Sequence, residues 1–251
     1  MKICVIGSNG QLGKHISNTF KEYPNFFFFS SSSRKKNVLK ANLKKPKDLI
    51  YKLDKIQPSI IINCSAYTQV DKAEIEKKNA KIINASSIKI LSKYCNKNDI
   101  FFIHFSTDYV YSGYGKLPWK ENAKCNPINY YGYSKYEGEK FIINSNCKYL
   151  IFRICWLYGK YGKNNFVLKT LRNAKSNNKL YMVSDQIGSP SSTRAKYTIV
   201  KTTKIFLNNF ESSIAVCHTQ IINKPNLIYG KDEFNEKSLF SERIDDNKII
   251  K

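Results

Sequence analysis

Arginine is scarce in this chain. Of its 42 basic residues five are arginine (Arg34, Arg153, Arg172, Arg194 and Arg243), although the formal net charge reaches +23. Arginine's planar fork is the favoured reader of phosphates and base edges, and the lysines are spread along the chain among abundant Asn and Ile. Both observations count against nucleic-acid binding, leaving only a general attraction for anionic ligands. No two of the seven cysteines (Cys4, Cys64, Cys95, Cys125, Cys147, Cys155, Cys217) form a C-x-x-C pair, which favours a reducing cytoplasm over a disulfide framework. His15, His104 and His218 are dispersed, so no His-based zinc site is expected and the metal assignment is none. Apolar runs such as 26–29, 60–62 and 100–102 are far too short for a bilayer, and the start reads as a strand and not as a signal peptide. No membrane partner is expected.

What is present begins at the amino terminus. Ile3 to Ile6 is an apolar run without polar alternation, as a buried parallel strand requires, and it leads into Gly7-Ser8-Asn9-Gly10-Gln11-Leu12-Gly13. Glycines at the first, fourth and seventh places let the chain turn sharply and bring backbone N–H groups and a helix N-terminus against a pyrophosphate. The spacing is G-x-x-G-x-x-G in place of the usual G-x-G-x-x-G.

Strands are expected near 2–6, 26–30, 59–64, 100–106 and 148–155, and helices near 12–22, 46–56, 79–95, 131–144 and 165–177. This alternation predicts an α/β fold, a doubly wound parallel sheet (Rossmann fold), whose ligands sit beyond the carboxyl ends of the strands. The second strand ends in Ser30 to Ser33, followed by Arg34, Lys35 and Lys36. A carboxylate selecting the free ribose 2′-hydroxyl of NAD is absent there, so Ser30 and Arg34 point to NADPH, with NADH as the other option.

Tyr131 and Lys135 stand four positions apart in YYGYSKYEGEK, a spacing that puts both on one helix face. A phenol with a pKa of about 10 needs a neighbouring cation to work as an acid/base near neutrality. Thr107, in Ser106-Thr107-Asp108 at the end of an apolar run, would hydrogen-bond the same substrate oxygen.

Together these residues resemble the extended short-chain dehydrogenase/reductases, and among them the dTDP-4-dehydrorhamnose reductase family closely. The similarity rests on GSNGQLG at 7–13, NCSAYTQVDKAE at 63–74, HFSTDYVYSG at 104–113, NYYGYSKYEGEK at 129–140, FRICWLYG at 152–159, GKNNF at 162–166 and VSDQIGSPSS at 183–192. The resemblance implies NADPH-dependent reduction of the 4-keto group of dTDP-4-dehydro-6-deoxy-L-mannose to dTDP-L-rhamnose, a precursor of bacterial surface polysaccharide. It implies Tyr131 as proton donor, Lys135 as holder of the nicotinamide ribose that also lowers the Tyr131 pKa, and Thr107 as orienter of the carbonyl. Cofactor contacts carry over to Gly10, Gln11 and Leu12, to Asn42 and Leu43, and to Ala66, Tyr67 and Thr68. Asp108 and Trp156 fall on the substrate side. A cytoplasmic enzyme, dimeric in some family members, follows by the same analogy.

The chain departs from the family at Ser30 and Asn42, where aspartates are common, and both changes lower negative charge near the ribose. After about residue 215 the similarity fades, and the family's closing Pro/Arg-rich segment and magnesium-linked carboxylates are not recognisable, which leaves Mg2+ without expected ligands. The expected organisation is a dinucleotide-binding domain over 1–160 and a small, partly truncated substrate lobe over 161–251. Two alternatives stay open: a non-catalytic, dinucleotide-binding regulatory protein, and a nucleotide-sugar epimerase or dehydratase using Asp108.

Overall fold

Parallel pairing throughout the main sheet is what the unbroken apolar runs require. The computed structural model of the chain describes residues 1–32, 37–114, 117–162, 165–176, 180, 188–194 and 213–216. Among them the strands are β1 (Ile3–Ile6), β2 (Phe26–Ser30), β3 (Val38–Lys40), β4 (Ile60–Asn63), β5 (Phe101–Thr107), β6 (Tyr149–Ile154), β7 (Leu157–Tyr158), β8 (Ser191–Ser192) and β9 (Ser213–Val216). The helices are α1 (Gln11–Phe20), α2 (Pro46–Ile56), α3 (Val70–Ile75), α4 (Lys77–Lys81), α5 (Ser87–Lys97), α6 (Tyr130–Ile143) and α7 (Phe166–Ser176). One seven-stranded sheet has the order β3-β2-β1-β4-β5-β6-β9, and β7 pairs with β8 apart from it. The expected doubly wound parallel sheet is therefore present.

Both faces of that sheet are covered, which explains the sequence pattern. On β1, Cys4 and Ile6 enter one core with Phe29, Leu49, Leu53, Ile88 and Leu91. Ile3 and Val5 enter the other, with Leu12, Ile16, Phe20 and Phe28. Alternate residues face opposite ways along a strand, so a strand buried on both sides must be apolar at every position. The helix α2 begins at Pro46, with Asp48 in its first turn, and ends at Gln57 in the left-handed conformation (φ 51°). Proline suits a first turn because it has no N–H to leave unpaired.

Besides the two-residue strands β7 and β8, three features were not read from sequence. The edge strand β3 is three residues long and partly exposed, too short for a periodic signal. The segment α3 was also passed over. The single helix expected over 79–95 is instead α4, a π-helical turn (Ile82–Ser86) and α5. Asn84 accounts for the break: its Oδ1 accepts from the Tyr67 N–H (2.8 Å) and its Nδ2 donates to the Tyr67 carbonyl (3.0 Å) and to Ser134 Oγ (3.0 Å). A π turn is how a helix delivers such a side chain inward.

Of the lobe expected over 161–251, the described parts are Tyr161, Gly162, Asn165, α7, Leu180, residues 188–194 and β9. The strand β9 extends the main sheet beside β6, and the described residues all belong to the unit Met1–Thr219. The remainder of the lobe, including Val183 to Ile187 of VSDQIGSPSS, lies outside the described residues. No helix among the described residues is long and apolar enough to cross a membrane.

Candidate functional site

The strand order reverses between β1 and β4, and a cavity of about 910 Å³ opens at the carboxyl ends of the strands there. That is where open α/β sheets bind ligands. The glycine loop forms its floor. Gly7 has φ 85°, a left-handed conformation that suits glycine, and a Cβ on it would stand 2.7 Å from the Ser65 nitrogen. A Cβ on Gly13 would overlap the Gly7 carbonyl oxygen. The two outer glycines thus set the turn and the close packing of α1 on it. Gly10, Gln11 and Leu12 line the cavity, and Gly13 packs behind them. The N-cap of α1 has no side-chain hydrogen bond and its first turn no acidic residue, so its first N–H groups stay available to an anion.

Gln11 does something its motif position did not suggest. Its Nε2 donates to the Leu157 carbonyl (2.8 Å), and its Oε1 accepts from Asn165 Nδ2 (3.1 Å). Asn165 in turn caps α7 by accepting from the Leu168 N–H (2.9 Å). The Gln11 side chain therefore ties the loop to β7 and α7, leaving its backbone N–H for a ligand.

Ser30, Asn42 and Leu43 line the side of the cavity next to β2, and Ala66 and Thr68 line the side beyond β4. Tyr67 is held by Asn84 between these last two. Arg34 lies outside the described residues. Asp108 is the sole carboxylate lining the cavity among the described residues, which suits a phosphate-rich ligand. No group of three His, Cys, Asp or Glu placed to hold a metal occurs among the described residues.

Thr107, Asp108, Tyr131, Lys135 and Trp156 all face this same cavity. The helix α6 brings Tyr131 and Lys135 there because Asn129 caps it, its Oδ1 accepting from the Gly132 N–H (2.8 Å). Two glycines let α6 lie against backbone: a Cβ on Gly132 would overlap the Tyr109 carbonyl oxygen, and one on Gly138 that of Asn84. Gly138→Ala should therefore cost about 1–3 kcal/mol through overpacking, read as a lower urea midpoint at unchanged slope.

The Thr107 hydroxyl donates to Asp108 Oδ1 (3.0 Å), accepts from the Tyr109 N–H (3.3 Å) and also pairs with the Tyr131 phenol. Burial raises the Asp108 pKa, although its hydrogen bonds from Cys155 and Thr107 pull the other way. The Tyr131 pKa is pushed up to about 12 by burial, opposed by the Thr107 hydrogen bond and assisted by the charge of Asp108. This corrects the expectation that Lys135 lowers it. In the structure Lys135 Nζ donates to the Phe105 carbonyl (2.7 Å) and meets His104 Nε2 at 3.1 Å. Burial pushes Lys135 down to about 8, while the charge of Glu139 raises it.

Trp156 follows β6 with φ 40°, an outlier for a bulky residue and a mark of local strain. Its ring is 38% exposed and stacks on Phe166 at 6.1 Å, so it is a cavity wall and not a core tryptophan. Asn63, Asn84 and His104 were missed as site residues, because their partners lie far away in sequence.

Known proteins bear on this geometry. The dTDP-4-dehydrorhamnose reductase of Escherichia coli (strain K12) is 37% identical over 191 residues, covering 76% of this chain and 62% of that protein. That of Salmonella typhimurium is 35% identical with the same coverage, so the chain spans less than two thirds of the length of these relatives. Among solved structures, a Bacillus anthracis dTDP-4-dehydrorhamnose reductase in complex with NADP superposes with a TM-score of 0.76 at 31% identity, covering 87% of this chain and 75% of that one. Residues 1–214 match the family described as RmlD substrate binding domain, as the sequence resemblance led one to expect, and the chain belongs to that family.

Proposed function

We propose that the chain is an NADPH-dependent reductase that converts the 4-keto group of dTDP-4-dehydro-6-deoxy-L-mannose to the alcohol of dTDP-L-rhamnose, working in the cytoplasm as a homodimer. The observation that carries this reading is that Thr107, Tyr131 and Lys135 share one cavity with an uncapped glycine-loop helix. Similarity to the reductases named above supplies the substrate.

The residues present fit a dinucleotide. The glycine loop leaves no room for a Cβ at its outer positions, and the first N–H groups of α1 suit a pyrophosphate. When bound, the cofactor supplies the hydride that reaches the carbonyl carbon. The phenol of Tyr131, kept protonated at neutral pH by its burial, gives its proton to the carbonyl oxygen. Lys135 holds the nicotinamide ribose. Thr107 orients that same oxygen once its one hydroxyl proton, given to Asp108 in the structure, turns to the carbonyl. The backbone of Gly7, Gly10, Gln11, Leu12 and Gly13 would hold the pyrophosphate, Ser30, Asn42 and Leu43 would hold the adenosine ribose, and Arg34 is proposed from its place in the sequence alone. Ala66, Tyr67 and Thr68 line the path to the nicotinamide. Asp108 and Trp156 bound the sugar.

The direct test is loss of reduced-nicotinamide absorbance by the purified protein when the 4-keto sugar is generated in situ, against a sugar-free control. Oxidation that depends on the sugar supports the reading; tight NADPH binding with no turnover points instead to a cofactor-binding regulator. Ser30→Asp should move preference towards NADH by about tenfold or more, because a carboxylate repels the 2′-phosphate. An unchanged ratio of the two cofactors' kcat/KM values would remove Ser30 from that role.

A further inference from the structure

Beneath the cavity floor a chain of buried hydrogen bonds joins β4 to Lys135. Asn63 Oδ1 accepts from the Ser65 N–H (3.1 Å), Asn63 Nδ2 meets His104 Nδ1 at 3.0 Å, and His104 Nε2 meets Lys135 Nζ at 3.1 Å. Asn63, His104 and Lys135 are each 1% exposed or less, so water does not relieve a mismatch among them.

The direction of this chain is fixed at one end. A backbone N–H can only donate, so the Asn63 amide must present Oδ1 to Ser65 and Nδ2 to His104. Nδ1 of the imidazole then accepts, and a neutral imidazole carries its proton on Nε2. That Nε2–H points at Lys135 Nζ, and only a neutral amine has a lone pair to receive it. An ammonium there would set donor against donor. To accept from an ammonium, His104 must shift its proton to Nδ1 against the Asn63 NH₂, or Asn63 must turn its NH₂ on Ser65. Either way one buried donor loses its partner, which disfavours the charged lysine.

Resting on the proposed cofactor site, we infer that Asn63 and His104 are positioning residues that bias Lys135 towards the neutral amine until ribose hydroxyls arrive, so that in alkaline solution binding of the dinucleotide draws a proton onto the lysine. The cation beside Tyr131 then arrives together with the cofactor. The other groups facing Lys135 do not replace this lever. Glu139, on the same helix, raises the lysine's pKa but is itself held by Arg153 from β6. Tyr131 is a neutral phenol, and Asp108 is occupied by Thr107 and Cys155. Burial lowers Lys135 to about 8 and His104 well below the usual imidazole value, so both are mainly neutral above about pH 8, the condition of the test.

The test is nitrogen-15 NMR of protein labelled at histidine, with the His104 signals assigned by their loss in His104→Gln. Without ligand at pH 9, the expected result is the Nε2–H tautomer with no imidazolium form. Added NADPH should bring net proton uptake, measured by calorimetry at that pH in buffers of different ionisation enthalpy. An Nδ1–H tautomer in the free protein, or binding without proton uptake, overturns the proposal. In Asn63→Asp a carboxylate can accept from Ser65 N–H and from Nδ1–H together, so the tautomer should switch to Nδ1–H. The alkaline fall of kcat/KM for NADPH should move up by about one pH unit. A purely structural Asn63 would leave both where they are. Because the spectrum needs no sugar, absence of sugar turnover would defeat the functional reading alone.

Discussion

Tyr131→Phe should lose sugar-dependent NADPH oxidation by about a thousandfold while NADPH affinity stays within a factor of about two. The size follows from removing a general acid, which commonly contributes ~10²–10⁴ in rate. The specificity follows from what the hydroxyl touches. It pairs with Thr107, and the ring packs edge-on to Tyr109 at 5.8 Å, a contact that phenylalanine retains. Thr107 keeps Asp108 and the Tyr109 N–H as partners, so the fold should lose little. Steady-state rates with a parallel fluorescence titration of NADPH separate the two effects. Near-normal turnover in this variant would take the proton-donor role from Tyr131.

The largest effect on stability should come from Arg153→Met, at about 3–5 kcal/mol. Arg153 and Glu139 are 3% and 0% exposed, and the guanidinium reaches both carboxylate oxygens, with Nη2 to Oε2 at 2.7 Å. Nη1 also donates to the Tyr111 hydroxyl (2.8 Å) and to the Glu121 carbonyl (3.1 Å). Removing the arginine strands a buried carboxylate and takes one hydrogen bond each from Tyr111 and Glu121. Arg153→Met/Glu139→Leu should recover much of the loss, because an apolar pair of similar volume avoids that stranded charge. Urea denaturation at pH 7 measures this, and a loss below about 1 kcal/mol in the single variant would contradict it.

Five strands and the main helices were legible because burial on both sheet faces writes an unbroken apolar run, as at Ile60 to Ile62. The cavity's principal groups were legible for a similar reason, since each follows a strand end or sits at a helical spacing. What escaped depends on partners distant in sequence. Nothing near Asn84 announces that it will hold Tyr67 and Ser134, and so the π turn was invisible. Asn63 and His104 read as polar interruptions of apolar strands, and a buried polar residue inside such a run was the one signal that could have marked them. The direction of the Tyr131 shift was misjudged because spacing shows that a lysine is near but not which way its amine points.

The partnership of β6 with β9 has a consequence for how this chain is made. Synthesis delivers β1 to β6 well before residues 213–216 leave the ribosome, and until then β6 is a bare sheet edge whose N–H and C=O groups face no neighbour. An exposed edge of this kind recruits strands from other chains. Recombinant yield should therefore respond to crowding of nascent chains more than to the stability of the finished fold. Slow induction at low temperature, or a supply of chaperone during translation, acts on that interval.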